Sequence, residues 1–185
     1  MIIRLGELMI ARSKHTMRDR LSDSSELLQR AALVMLELSR RDLSIATAES
    51  CTGGDFAALL TDVEGVSHAF DSGFVAYSDD AKIRCLGIDP KLIAEHGAVS
   101  REVAVAMADG ALQRSSANFA ISVTGFAGPT EEGREGDVHF ALAARQDWTV
   151  GRHEKFGPLG RGTIRGLCLR VLLDMIEERL SQVND

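Results

Sequence analysis

Along the chain, stretches in which apolar residues recur every three to four positions alternate with short runs that are apolar throughout. This is the pattern of helices packed on a buried sheet. Leu27, Ala31, Val34, Met35 and Leu38 fall on one helical face. Asp23 and Glu26 have capping-box spacing at its start, and Arg40, Arg41 and Asp42 close it. Residues 43–48 read as a short buried strand and DFAALLTD, from Asp55, as a helix. Residues 70–77 read as a second strand broken by Gly73; Ser78, Asp79 and Asp80 then favour a helical turn that contains Lys82. Ser100 suits the N-cap of a helix with Val103, Met107 and Ala111 on one side and Ala104, Ala108 and Leu112 beside them. Strands follow at 119–124, 138–144 and 149–156. A last helix runs from about residue 160 to 180, with Ile164, Leu167, Val171 and Met175 facing inward. The alternation predicts one α/β domain over residues 23–182, a single sheet with helices on both sides and at least part of it parallel.

Composition narrows the function classes. The length of 185 residues suits one domain with a sizeable core, and there is no internal repeat or low-complexity linker. A net charge of -6 and a single Trp and a single Tyr disfavour a nucleic-acid partner, which calls for a basic face and stacking surfaces. No apolar run approaches the ~18 residues of a membrane span. Arg4 and Glu7 come too early for the apolar core of a signal peptide, so a cytoplasmic protein is expected. Residues 1–22 read as an irregular N-terminal extension, with Met17 an alternative start. Cys51, Cys85 and Cys168 form no CxxC pair and have no histidine at zinc spacing; Cys85 and Cys168 are expected as small buried apolar residues. His15, His68, His139 and His153 form no recognisable ligand set, and His96 reads as a loop residue, so no metal and no cofactor are expected.

Four segments carry candidate chemistry. In Glu49-Ser50-Cys51-Thr52-Gly53-Gly54 a hydroxyl stands where a strand hands over to a helix, among main-chain N–H groups suited to a phosphate or a developing oxyanion. The alternative is that Ser50 or Thr52 only caps the helix. In Tyr77-Ser78-Asp79-Asp80-Ala81-Lys82, a lysine rendered neutral by burial would serve a serine as base, with Tyr77 orienting or passing a proton. The alternative is a surface lysine paired with Asp79 or Asp80. Ser122-Val123-Thr124-Gly125-Phe126-Ala127-Gly128-Pro129 is a strand end followed by a glycine-rich turn, either a ligand site or a plain turn. Arg161 and Arg165, near the start of the last helix, suit an anionic group or are simply solvated.

Taken together and in this order, TAESCTGG, FVAYSDDAK, LGI, EHGAVS, MADGAL and SVTGFAGP resemble the C-terminal domain of the CinA (competence/damage-inducible) family, over about residues 23–180. The resemblance implies a three-layer α/β/α sandwich with a mixed, largely parallel sheet. It also implies hydrolysis of nicotinamide mononucleotide to nicotinic acid mononucleotide and ammonia, the activity of the family's stand-alone members. By position, Ser50 would be the nucleophile and Lys82 the base, with Tyr77 assisting. Thr52, Gly53, Gly54, Thr124 and Gly125 would line the substrate pocket, and Arg165 would meet the phosphate. N–H groups of the turn after Ser50 would hold the oxyanion. The partner expected is thus a small-molecule nucleotide, with a homo-oligomer possible. Two departures from the family pattern stand out: the acidic stretch after Pro129, with Glu131, Glu132 and Glu135, and Leu159-Gly160-Arg161 where the family usually has GDR. An acidic loop should grip a phosphate less well. Two rival readings follow: a non-catalytic nucleotide-binding or interaction domain, and a thiol enzyme using Cys51.

Overall fold

Strand β1 (Ile45–Glu49) stands between two parallel neighbours and is covered on both faces, so all five residues are buried, the polar Thr47 and Glu49 included. The computed structural model describes residues 24–145, 147 and 149–182. Its elements follow in order: α1 (24–40), β1, α2 (Asp55–Thr61), β2 (Phe70–Val75), α3 (Asp79–Leu86), α4 (Pro90–His96), α5 (Arg101–Gln113), β3 (Phe119–Gly125), β4 (Asp137–Ala144), β5 (Val150–Lys155) and α6 (Arg161–Gln182). The five strands form one sheet of order β2-β1-β3-β4-β5. The β1–β2 and β1–β3 pairings are parallel, while β3–β4 and β4–β5 are antiparallel, so β4 alone runs against the others.

Helices cover both faces, and the two faces differ in kind. On one, Ile45, Phe119, Ile121, Val123, Val138, Phe140 and Leu142 project toward α1, α2 and α6. On the other, the buried apolar sheet residues facing α3, α4 and α5 are all alanines: Ala46, Ala48, Ala120, Ala141 and Ala143. Small side chains on that face let α5 approach the strands closely. Gly110 extends the same economy to the helix layer: a Cβ there would lie 2.2 Å from the Leu86 carbonyl oxygen at the end of α3. Arg30 of α1 ties to Asp174 and Glu177 of α6 at 2.7 Å each, fixing the outer pair on the large-residue side.

The inward residues expected in α1 and α5 are all buried, as are Ile164, Val171 and Met175 of α6. Leu167 is only half-buried; Cys168, one position on, takes the core place. Cys85, expected inside, lies on the exposed side of α3. His96 is the last residue of α4 rather than a loop residue. The apolar pattern does not predict α4, although Asp89 caps it by accepting from the Lys91 N–H and Pro90 opens it. The capping box at Asp23, the 1–22 extension, Met17 and His15 lie outside the described residues. Among the described residues, no helix is long and apolar enough to cross a membrane.

The chain leaves β1 through α2 on one face to reach β2, then returns through α3–α5 on the other face to β3. The carboxyl ends of β1 and β3 therefore flank the point where the strand order reverses, the position at which open α/β sheets form a crevice.

Candidate active site

Ser50 stands directly after β1 at that point, 7% exposed, its N–H donating to the Val123 carbonyl of β3 at 3.0 Å. The sheet itself thus sets the height and direction of the serine. The side chain of Lys82 reaches it from α3. Ser78 caps that helix by accepting from the Ala81 N–H, and the Lys82 N–H bonds the Ser78 carbonyl, so Lys82 belongs to the first full turn. Its Nζ donates to Ser50 Oγ at 3.2 Å, and the residue is 2% exposed. Burial pushes the Lys82 pKa below its ordinary value, against the opposing charges of Asp79 and Cys51. The surface alternative fails because Lys82 is buried, and Asp80 pairs with Arg84. A hydroxyl in contact with an amine whose charged form is disfavoured can lose its proton to that amine.

Both groups open into a cleft of about 270 Å³, also lined by Tyr77, Asp79, Thr124, Gly125, the 126–130 loop and Arg161. Tyr77 is 60% exposed at the rim. The Thr124 hydroxyl donates to the Ala98 carbonyl at 2.8 Å, so it braces the α4–α5 connection as well as facing the cleft. Gly125 is required by close approach: a Cβ would lie 2.7 Å from Val138 on β4.

Four expected pocket residues are elsewhere. Thr52 is fully buried, its hydroxyl without a partner. Gly53 and Gly54 have φ values of 71° and 100° and serve the turn into α2 rather than the cleft. Arg165 turns back to the chain: its Nε donates to the Cys51 carbonyl at 2.9 Å and its Nη1 pairs with Asp55 at 3.5 Å. Of the two arginines, Arg161 faces the cleft, its guanidinium beside Gly128.

The start of α2 is held by Glu49, which is 1% exposed. One Glu49 carboxylate oxygen accepts from the Gly54 and Phe56 N–H groups at 3.1 Å each, and the other from Ala57 at 2.8 Å. A buried carboxylate at the start of α2 satisfies the helix's unpaired amides and its dipole. The amides of Gly54, Phe56 and Ala57 are thus engaged and cannot serve an oxyanion, whereas that of Cys51, directly after the serine, lies outside this set. An acidic residue at a strand end just before a helix was the sequence signal for this role.

Cys51 is 4% exposed and its thiol contacts Cys168 within the large-residue core. That hydrogen bond lowers the Cys51 pKa against the effect of burial and raises that of Cys168. In the acidic loop Glu131 and Glu132 are exposed, whereas Glu135 accepts from the Gly160 N–H at 2.9 Å and so binds the approach to α6.

The model of the CinA C-terminal domain matches residues 28–180. The nicotinamide-nucleotide amidohydrolase PncC of Escherichia coli K12 is 44% identical over 135 residues, covering 71% of this chain and 82% of that protein. A CinA-like protein of Acidobacterium capsulatum is 41% identical over 162 residues, 86% of this chain; the chain spans only 38% of that longer relative. A Symbiobacterium thermophilum competence-damage inducible protein is 50% identical over 68% of this chain, which spans 29% of its length. Among solved structures, the competence/damage inducible protein CihA from Agrobacterium tumefaciens superposes with a TM-score of 0.79 at 41% identity, over 86% of this chain and 96% of that one.

Proposed function

The chain belongs to the CinA C-terminal domain family, and we propose that it hydrolyses the carboxamide of nicotinamide mononucleotide to the acid and ammonia through an acyl-enzyme on Ser50. The observation that carries this is the contact between Ser50 Oγ and the buried Lys82 amine in the lining of the cleft; the amidohydrolase relative supports the substrate class.

Neutral Lys82 takes the Ser50 proton as Oγ bonds the carboxamide carbon. The tetrahedral oxyanion is held by the amide of Cys51, which follows the serine, borders the cleft and lies outside the Glu49 set. Protonated Lys82 returns its proton to the departing nitrogen, the C–N bond breaks and ammonia leaves. Water, deprotonated by Lys82, attacks the ester; the acid departs and Ser50 is restored. Tyr77 at the rim faces the leaving nitrogen and orients it. Arg161, rather than Arg165, meets the phosphate.

Ammonia release from nicotinamide mononucleotide, measured beside nicotinamide riboside and free nicotinamide, tests the proposal: turnover should be greatest for the nucleotide. One observation favours a second reading, a domain that binds the nucleotide without turnover. Glu135 occupies an amide at the start of α6, where an anion would otherwise dock. Thermal stabilisation by the nucleotide with no ammonia released would select that reading.

A further inference from the structure

Beyond the cleft, the β3–β4–β5 side of the sheet gathers a second set of chemistry-bearing residues. His139 and His153 are direct cross-strand partners on β4 and β5, and Asp137 lies two residues before His139 on the same face of β4. The imidazole rings stack with centroids 4.1 Å apart and planes within 3°. One ligand atom from each of Asp137, His139 and His153 lies within 4.8 Å of the others. The shared focus is Asp137 Oδ1, at 2.5 Å from His153 Nε2 and 3.8 Å from His139 Nε2. Its other oxygen is held by Arg134 at 2.8 Å, which fixes the carboxylate with Oδ1 turned to the rings. The His139 Nδ1 is buried without a partner, an orphaned polar atom beside the cluster.

We propose that Asp137, His139 and His153 form a site for a divalent transition-metal ion that braces the loop forming one wall of the cleft. Two imidazoles and one carboxylate are the donor set of zinc, cobalt or nickel, whereas magnesium and calcium call for oxygen. The positive charge of Arg134 also disfavours a hard ion bound by charge alone and leaves nitrogen donation as the source of affinity. Bonds of ~2.1 Å place ligand atoms roughly 3.4 Å apart, so the two rings, parallel here, splay out of their stack to aim both nitrogen lone pairs at one ion, giving a three-ligand site with room for water. The link to the cleft is short. The Asp137 carbonyl accepts from the Phe126 N–H at 3.0 Å, Arg134 stacks on the Phe126 ring at 4.7 Å, and Phe126 lines the cleft.

The test uses the full chain, freed of metal by chelation, titrated with Zn²⁺ by calorimetry and with Co²⁺ by its visible d–d absorption. Wild type should take up one ion per chain, with a rise in Tm and the bands of a nitrogen-ligated cobalt centre. His153 is 40% exposed on its side chain, so His153→Ala keeps the fold, and Asp137→Asn provides a second variant. Both should weaken Zn²⁺ roughly tenfold or more. Equal Zn²⁺ affinity in wild type and both correctly folded variants, or no uptake by wild type at about tenfold excess, would overturn the proposal. Because binding and Tm are read without substrate, the outcome is independent of the proposed hydrolysis.

Discussion

Lys82 Nζ meets Ser50 Oγ at 3.2 Å although the two residues arrive from different elements, a helix on the alanine-lined face and the end of the central strand. Lys82 is 2% exposed, and a buried amine close to a hydroxyl is costly for the fold and useful for acyl transfer. Replacing it should therefore have opposite effects on the two. Lys82→Met should lower kcat/KM by roughly 10³-fold or more while stabilising the chain by about 1 kcal/mol, seen as a higher Tm.

The same burial fixes a pH profile. Only neutral Lys82 accepts the serine proton, so kcat/KM should rise with pH through the folded-state pKa, which lies below the ordinary 10.5. The sign for stability agrees. The unfolded chain binds the Lys82 proton more tightly than the folded one, so stability should increase as pH climbs from the folded-state value toward 10.5. Lys82→Met should lose this increment in pH-dependent denaturation.

Glu49 should matter as an organiser of the turn that carries Ser50. Its carboxylate takes N–H groups from Gly54, Phe56 and Ala57. Glu49→Gln keeps the shape but removes the charge and turns an NH₂ group toward amide donors. We expect a loss of about 2–3 kcal/mol in urea unfolding.

The two arginines should separate kinetically. Arg161 lines the cleft while Arg165 bonds the Cys51 carbonyl. Arg161→Ala should raise KM for the nucleotide roughly 10- to 100-fold with little change in kcat, and should leave KM for the phosphate-free riboside unaltered. Arg165→Ala should lower kcat for both substrates by loosening the segment that follows the serine.

The Cys51 thiol contacts Cys168 in the core, although the residue itself borders the cleft. Cys51→Ala should therefore retain most of the ammonia-releasing activity, at a cost in stability of about 1 kcal/mol. Loss of turnover in a folded Cys51→Ala protein would favour the thiol enzyme.

The sequence carried the local part of this architecture. Ser78 and Ser100 cap α3 and α5 as their patterns predict, and the alternating elements foretold helices on both sides of the sheet. Ser50 and Lys82 were legible as candidates because a strand–helix junction and a capped helical turn each leave a local signature; that they touch depends on how α3 packs on the sheet. Long-range placement explains the misses. Arg161 and Arg165 lie on the same first turns of α6, and only the packing of α6 against α2 sends one to the cleft and the other to Cys51. His139 and His153 become neighbours through antiparallel register, which no short motif records. The roles of Glu49 and α4 were within reach of capping rules, through an acid before a helix and an Asp-Pro start.

The central claim is that Ser50 forms the acyl-enzyme, and single-turnover ammonia release from nicotinamide mononucleotide addresses it most directly. Wild type and Ser50→Ala, both verified as folded and both binding the nucleotide, would be compared. The account predicts release from wild type and a rate lower by roughly 10³-fold or more in Ser50→Ala. Equal rates in the two proteins would contradict it.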